Sequence, residues 1–522
     1  MKYRFQRVAP IHISPHNPNV VYHGSQYLHK TITDGLVWET ISPDLTAFEA
    51  DKQVISGSPI TRDITGEEYY STLYSIRESK LVEGLIWTGS NDGVISITKD
   101  GGKTWANVTP KTLPKGGRVE SVEPSQFNPA KAYIAVERHL LGDAKPYIYK
   151  TNNYGESWEL LTTVSNGIPS DSYTRVLRED PIHEGLLYAG TEYGMFVSLN
   201  DGKSWNKFQQ NLPVTPITDL KIFRGDLVLS TMGRGFWILD NITSLRQNEI
   251  NNIKDVAHLF KPDNTIRYRY PNARSSFPKY PRTSVIMDYF IPKGIKGGIQ
   301  LEILNSKNEV VSTILSDSTQ LKSSVKEVED MDLSQTFRYV DKKLIGKPGT
   351  HRFEWDLRQI GSWSKDKKKR FKNGPLVAPG TYTARLIVDK NSYEQSFEIL
   401  IDPRVKDEGI TEQDITSQLI MQNKIISLLS EARKLEVSIE KEAKSLKGKK
   451  AQAKVSRLEK INSVLKQLKN DNGAYPQQML SSQISYVLNM ISRADQIPGQ
   501  DAIERLDDLQ NQFNKLKEDV KK

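Results

Sequence analysis

The chain of 522 residues contains no cysteine. Disulfides and thiolate metal sites are therefore excluded, although the compartment is left open. It contains no run of 18 apolar residues, so no membrane-spanning helix is expected. Its eight histidines are scattered, with none at His-x-x-x-His spacing, and no metal constellation stands out. Glycines are present, but no phosphate-binding loop is. "GGKTW" at 101–105 leads into a strand pattern and not a helix, so its Lys-Thr is not a Walker motif. Charge of one sign is also scarce. A net charge of +9 spread along 522 residues is a solvated surface and not a nucleic-acid footprint. "MKYRFQRVAPIHISP" lacks the apolar core of a signal peptide. No cofactor is expected.

What the sequence has is a repeat. "TKDGGKTW" at 98–105 returns as "TNNYGESW" at 151–158 and "SLNDGKSW" at 198–205. A weaker copy, "TITDGLVW", occupies 31–38. Upstream of each copy lie two short alternating runs, such as "LYSI" then "IWTG", or "RVLR" then "LYAG". Downstream, Trp leads another: "WETI", "WANV", "WELL", "WNKF". Each unit thus reads as four short strands separated by turn residues. Trp38, Trp105, Trp158 and Trp205 recur at spacings of 67, 53 and 47 residues. That is the period of a propeller blade. A fifth unit at 217–240, "ITDLKIF…LVLST…FWILD", has three strands and no eight-residue box.

The box reads as a tight turn between strands three and four. Gly102, Gly155 and Gly202, like Gly35, permit positive φ. Asp100, Asn153 and Asn200 can accept main-chain N–H bonds inside the turn. Trp105, Trp158 and Trp205 bury a large ring between neighbouring sheets. The first copy carries Thr33 for Asp and Val37 for Ser/Thr, and a looser turn is expected there.

This pattern resembles the Asp-box, or BNR, repeat of sialidases, xyloglucan hydrolases and sortilin-type receptors. The stretches "APIHISPHNPNVVYHGSQYLHKT" and "REDPIHEGLLYAGTEYGMFVSLNDGKSW" look most like large bacterial sortilin-like BNR proteins, many of them labelled glycosyl hydrolase. The resemblance covers residues 1–245 well and the rest weakly. It implies a secreted, periplasmic or cell-surface protein, and it places the boxes on the periphery as fold staples, away from the ligand face. Such propellers commonly have seven or more blades. The five units here lead to the expectation of a C-terminal portion of a longer protein, its missing blades supplied by another polypeptide or segment.

Beyond the propeller (1–250), residues 251–290 read as a Pro- and Tyr-rich connector. Residues 291–404 show alternating strands of an immunoglobulin-like β-sandwich. The run "SKDKKKRFK" at 364–372 is a solvated loop or an anionic contact. From 405 the period becomes helical, Thr411 and Asp414 approximate a capping box, and a small α-helical bundle is expected to 522. The fold class is mainly β: Asp-box propeller blades, an immunoglobulin-like sandwich, then a C-terminal helical bundle.

In a propeller the ligand face gathers the loops between strands two and three and those joining blades. The carboxylates there are Asp63, Glu67, Glu68, Asp92 and Glu192, the candidates for glycoside cleavage. Tyr27, Arg62, Arg138, His139, Tyr193 and Arg234 are the candidates for ligand contact. No sialidase motif appears in order. Two functions remain: a non-catalytic recognition propeller for peptide or glycan, which is favoured, or an Asp-box glycoside hydrolase. The separation of carboxylates on that face should decide between them.

Overall fold

The computed structural model describes residues 2–54, 69–247, 255–269, 283–316, 339–342, 344–447, 452–470 and 477–521. The chain divides into two compact units, Met1–Asn251 and Asn252–Lys522.

The first unit is a succession of five antiparallel sheets, each a simple meander. Sheet 1 runs Ile11–Ile13, Val21–Gly24, Leu28–Thr31 and Glu39–Thr40. Sheet 2 runs Leu73–Glu78, Ile86–Ser90, Ile95–Thr98 and Ala106–Asn107. Sheet 3 runs Arg118–Pro124, Ala132–Glu137, Tyr147–Thr151 and Glu159–Leu160. Sheet 4 runs Thr174–Glu179, Leu187–Thr191, Gly194–Ser198 and Asn206–Lys207. Sheet 5 has three strands, Ile217–Phe223, Asp226–Thr231 and Phe236–Leu239. These are propeller blades. Successive sheets pack face to face in chain order, and no packing of similar extent joins the first to the fifth among the described residues.

That layering explains the burial. The second and third strands of sheets 2, 3 and 4 are buried on both faces, because each lies between two neighbours. Ile86, Trp87, Ile134 and Leu187 are fully enclosed. The terminal sheets each leave part of one face open, although Tyr3 and Phe5 pack over His29 and His23 on the outer side of sheet 1. Ile11 and Ile13 at one end, and Phe236 and Ile238 at the other, remain exposed.

The boxes form the turns between strands three and four. Thr98 Oγ1 accepts from Gly102 N at 3.0 Å, and Asp100 Oδ1 accepts from Thr104 N at 2.9 Å. Thr98 and Thr104 each donate a hydroxyl to Asp100. Asn153 and Asn200 take the same main-chain bond, from Ser157 N and Ser204 N. Their amides donate to the hydroxyls of Ser157 and Ser204. In the first copy Thr33 Oγ1 still accepts from Val37 N at 3.0 Å, so a hydroxyl closes the turn where a carboxylate or amide does elsewhere. What is lost is the side-chain bond to position seven.

The second unit holds the sandwich and the helices. Its three-stranded sheet orders His258–Leu259, Val285–Ile291 and Gly349–Trp355. Its six-stranded sheet orders Thr265–Arg267, Asn391–Ile401, Gly380–Val388, Ile299–Leu304, Val310–Leu315 and Tyr339–Lys342. Met287, Leu301, Trp355, Tyr382 and Phe397 fill the core between them. Strands at 258–259 and 265–267, and all but the last residue of the strand at 285–291, therefore lie within the stretch read as a connector. Helices follow at Pro403–Asp407, Glu412–Leu446, Gln452–Leu468, Leu480–Ile491 and Gln500–Lys521. Thr411 and Asp414 form a reciprocal capping box. Ile425, Leu429, Ile484, Leu509 and Phe513 make the helical core. Among the described residues, no helix is long and apolar enough to cross a membrane.

Candidate functional site

One irregularity recurs in four of the five sheets. The first strand slips register against the second at its start, leaving one residue unpaired. The pairs Leu73↔Ser90 and Ser75↔Gly89 skip Tyr74. Val119↔Val136 and Ser121↔Ala135 skip Glu120. Thr174↔Thr191 and Val176↔Gly190 skip Arg175. Ile217↔Thr231 and Asp219↔Ser230 skip Thr218. A bulge adds local twist and re-aims the extra side chain. Because the first strands of sheets 2 to 5 pack on one another in sequence, the four bulges place Tyr74, Glu120, Arg175 and Thr218 at equivalent levels. They lie at the end where strand two turns into strand three, opposite the boxes.

Three sheets build a charged cluster there. Arg118 donates to Glu120 at 3.3 Å and its guanidinium lies 4.7 Å from the centre of the Tyr74 ring. Glu120 is hydrogen-bonded to Glu137, the last residue of the second strand of sheet 3. Glu137 accepts from Arg175 at 3.1 Å and touches the His139 ring. Arg175 continues to Glu192 at 3.4 Å and to the Tyr173 hydroxyl at 3.1 Å. His139 stacks on Tyr173 with ring centres 4.6 Å apart.

Burial first, and the adjacent Glu137 carboxylate second, push the Glu120 carboxyl up to about 8. Near neutral pH the Glu120 carboxyl is therefore largely protonated. Burial, and then the Glu192 carboxylate, raise the Tyr173 phenol to about 12. A cavity of about 170 Å³ opens beside the cluster, lined by Gln6, Tyr70, Asn91, Arg118, Glu137 and His139.

The residues singled out in the sequence separate into groups. His139 and Glu192 stand in this cluster. Arg138 adjoins it, and its work is structural: it pairs with Asp143 at 3.0 Å and donates to the carbonyls of Pro114, Lys115 and Gly116. Asp92 is buried and accepts from Ser90 Oγ and Ala47 N, which fixes a loop. Tyr27 packs edge-on against Tyr3 and His29 in sheet 1. Tyr193 is exposed beside Glu192, and Arg234 is exposed on the corresponding loop of sheet 5. Arg62, Asp63, Glu67 and Glu68 lie outside the described residues. The sequence reading passed over Glu120, Glu137, Arg118 and Arg175, which sit in or beside strands.

Chemically, Glu120 is a buried, protonated carboxyl hydrogen-bonded to Glu137. Paired carboxylates that cleave glycosides stand about 5 Å apart or more, leaving room for the sugar carbon or a water. Arg118 and Arg175 flank the pair and oppose a metal cation. Among the described residues, no group of three or more acidic or imidazole side chains is arranged to hold one.

No protein-family model matches the chain, and no curated protein matches it either. Solved structures do. The GH74 xyloglucanase of Xanthomonas campestris is similar at 15% identity over 44% of this chain and 36% of its own, with a TM-score of 0.34. YCF48 of Cyanidioschyzon merolae is similar at 13% identity over 43% of this chain and 66% of its own, TM-score 0.30. PorZ, a surface component of the type-IX secretion system of Porphyromonas gingivalis, is similar at 10% identity over 75% of this chain and 51% of its own, TM-score 0.31. The chain thus spans between about a third and two thirds of these proteins. They include a glycoside hydrolase and a secretion component, and a likeness this distant decides nothing about this chain.

Proposed function

We propose that the first unit is a sortilin-like, Asp-box recognition propeller that binds a peptide or glycan at the strand 2–3 loop face, outside the cell or at its surface. The observation that carries the reading is the state of the described carboxylates on that face. Glu120 and Glu137 are in mutual contact, Glu192 is engaged by Arg175, and Asp92 is locked in a loop. None of these stands opposite another at glycosidase separation with both groups free. Exposed Tyr193, Leu140 and Arg234 rim the same face and suit contact with an extended ligand. The extracellular setting rests on the resemblance of the repeat.

A rival reading, a glycoside hydrolase, has one observation in its favour. Glu120 holds a proton near neutral pH, as a general acid must. A panel of polysaccharides, sialosides and peptides separates the two readings. Recognition predicts saturable binding without turnover, weakened by Tyr193→Ala and Arg234→Ala. Release of sugar that disappears in Glu120→Gln would overturn it.

A further inference from the structure

The helical part of the second unit holds a cavity of about 500 Å³ between the helices Glu412–Leu446 and Gln500–Lys521. That volume lies in the range of pockets that enclose a small organic ligand. Its floor is apolar. Leu428 and Leu506 form it, and both belong to the core of the bundle. Ile420, 53% exposed, adds an aliphatic wall.

Polar groups stand over this floor. Ser427, only 8% exposed, puts a hydroxyl into the lining. The Asn423 amide also lines the cavity. Its Nδ2 donates to Gln359 Oε1 at 3.2 Å, while its Oδ1 is buried with no partner among the described residues. Exchanging nitrogen and oxygen would leave the other end in the same state, so one end of this amide is unpaired either way. A buried polar atom without a partner destabilises the fold unless a ligand or water completes it.

The charges repeat the pattern. An ion pair between Glu431 and Lys517, at 3.0 Å, ties the two helices together. About two turns earlier on the first helix, Lys424 lines the cavity from one side and Asp507 from the other helix. Both are exposed, and neither is ion-paired among the described residues. Where the helices close, opposite charges meet. Where they part, the opposite charges stand on either side of the cavity.

We propose that this cavity, built wholly within the second unit, binds a short apolar peptide with both ends free. The peptide carboxylate pairs with Lys424 and its ammonium with Asp507. A peptide N–H donates to the unpaired Asn423 oxygen. The aliphatic side chains lie on Leu428, Leu506 and Ile420. A fatty acid would satisfy the floor and Lys424 but would leave Asp507 and the amide unmet.

Calorimetric titration of the full chain with leucyl-leucine is the test, run beside the same dipeptide N-acetylated or C-amidated. Saturable binding is expected, weakened by up to about fivefold by either cap. Lys424→Met should bind the amide as well as the free acid. Asp507→Asn should bind the acetylated peptide as well as the free amine. Both side chains are exposed, and the far-ultraviolet helical signal checks that each variant is folded. Absence of saturable heat would overturn the assignment, and so would equal binding of capped and uncapped peptide. Variants that keep the parent's preference for free ends would place the binding elsewhere and overturn it too. Tighter binding of octanoate, which has the carboxylate and no ammonium, would replace the peptide by a fatty acid and likewise overturn it.

Discussion

Replacing Glu120 by glutamine should stabilise the first unit at neutral and alkaline pH and change little in acid. In the folded chain the Glu120 carboxyl titrates at about 8, and in the unfolded chain near its ordinary value of 4.5. The sign follows from which state holds the proton. Below pH 4.5 both states are protonated and nothing is lost. As pH rises the unfolded chain releases its proton while the folded one keeps it, so stability is lost progressively from 4.5 up to about 8. Each unit of pH in that window costs at most ~1.4 kcal/mol. The pair shares its charge with Arg118, Arg175 and His139, so ~1–3 kcal/mol between pH 5 and 8 is a reasonable magnitude. Glutamine keeps a donor for Glu137 and has no proton to lose. Hydrogen exchange of the strands 118–124 and 132–137, measured for both forms at pH 5 and pH 8, follows this unit without assuming one global transition. Protection should converge at pH 5 and diverge at pH 8, with the variant more protected. Parallel profiles across the range would refute the raised Glu120 carboxyl. A variant less stable at every pH would show that the Glu120 carboxylate is needed as an anion for Arg118.

Three other substitutions probe the frame. Asp100→Ala should destabilise the second sheet while leaving ligand binding at the opposite end unchanged. Its hydrogen bonds to Thr104 and Thr98 hold the carboxyl at about 2, so their contribution is present above pH 3.8 and fades as pH falls towards 2, and thermal scans in that window should converge with those of the variant. Gly155→Ala should cost roughly 1–3 kcal/mol, since φ is +86° and the new methyl lies 2.6 Å from Val108 Cβ; an unchanged unfolding midpoint would refute the clasp. In the second unit, Asp495→Ala removes the partner of buried Arg267 and of Arg269 and should cost ~3–5 kcal/mol, read from denaturant unfolding of the helical signal.

The frame was legible because the sequence repeats it. A glycine, a short polar acceptor and a tryptophan at fixed offsets can satisfy one turn, and their recurrence at blade spacing left little else to infer. Even the weak first copy closes its turn, because a threonine hydroxyl at position 33 reaches the same N–H that a carboxylate would. The edges of the sandwich were not legible. His258–Leu259 and Thr265–Arg267 are strands of two and three residues, too short for alternation to register, and the second is defined by its pairing with residues more than a hundred positions away.

The charged cluster was hidden for a different reason. Long loops rich in charge drew the search, yet the residues that meet are held by strands. The signal was a phase slip. In "LYSIRE", "VESVEP" and "TRVLRE" the innermost buried side chains, Leu73 and Ile76, Val119 and Val122, Thr174 and Leu177, stand three apart and not two. Strict alternation cannot produce that spacing, whereas a one-residue bulge does. Each slip expels one polar residue from the pairing, and because neighbouring sheets slip at the same level, the expelled residues converge. The repeat thus acts twice in sheets 2, 3 and 4. At one end the box clasps the blade before it, its indole N–H donating to a carbonyl there, and geometry confines its key positions to glycine, tryptophan and short polar residues such as aspartate, asparagine, serine and threonine. At the other the bulge fixes a position but no side chain, so Tyr74, Glu120, Arg175 and Thr218 can differ from sheet to sheet. Specificity can be written at the bulges without disturbing the staple, and substitutions there should change binding more than stability, Glu120 excepted, because its buried proton ties the two together.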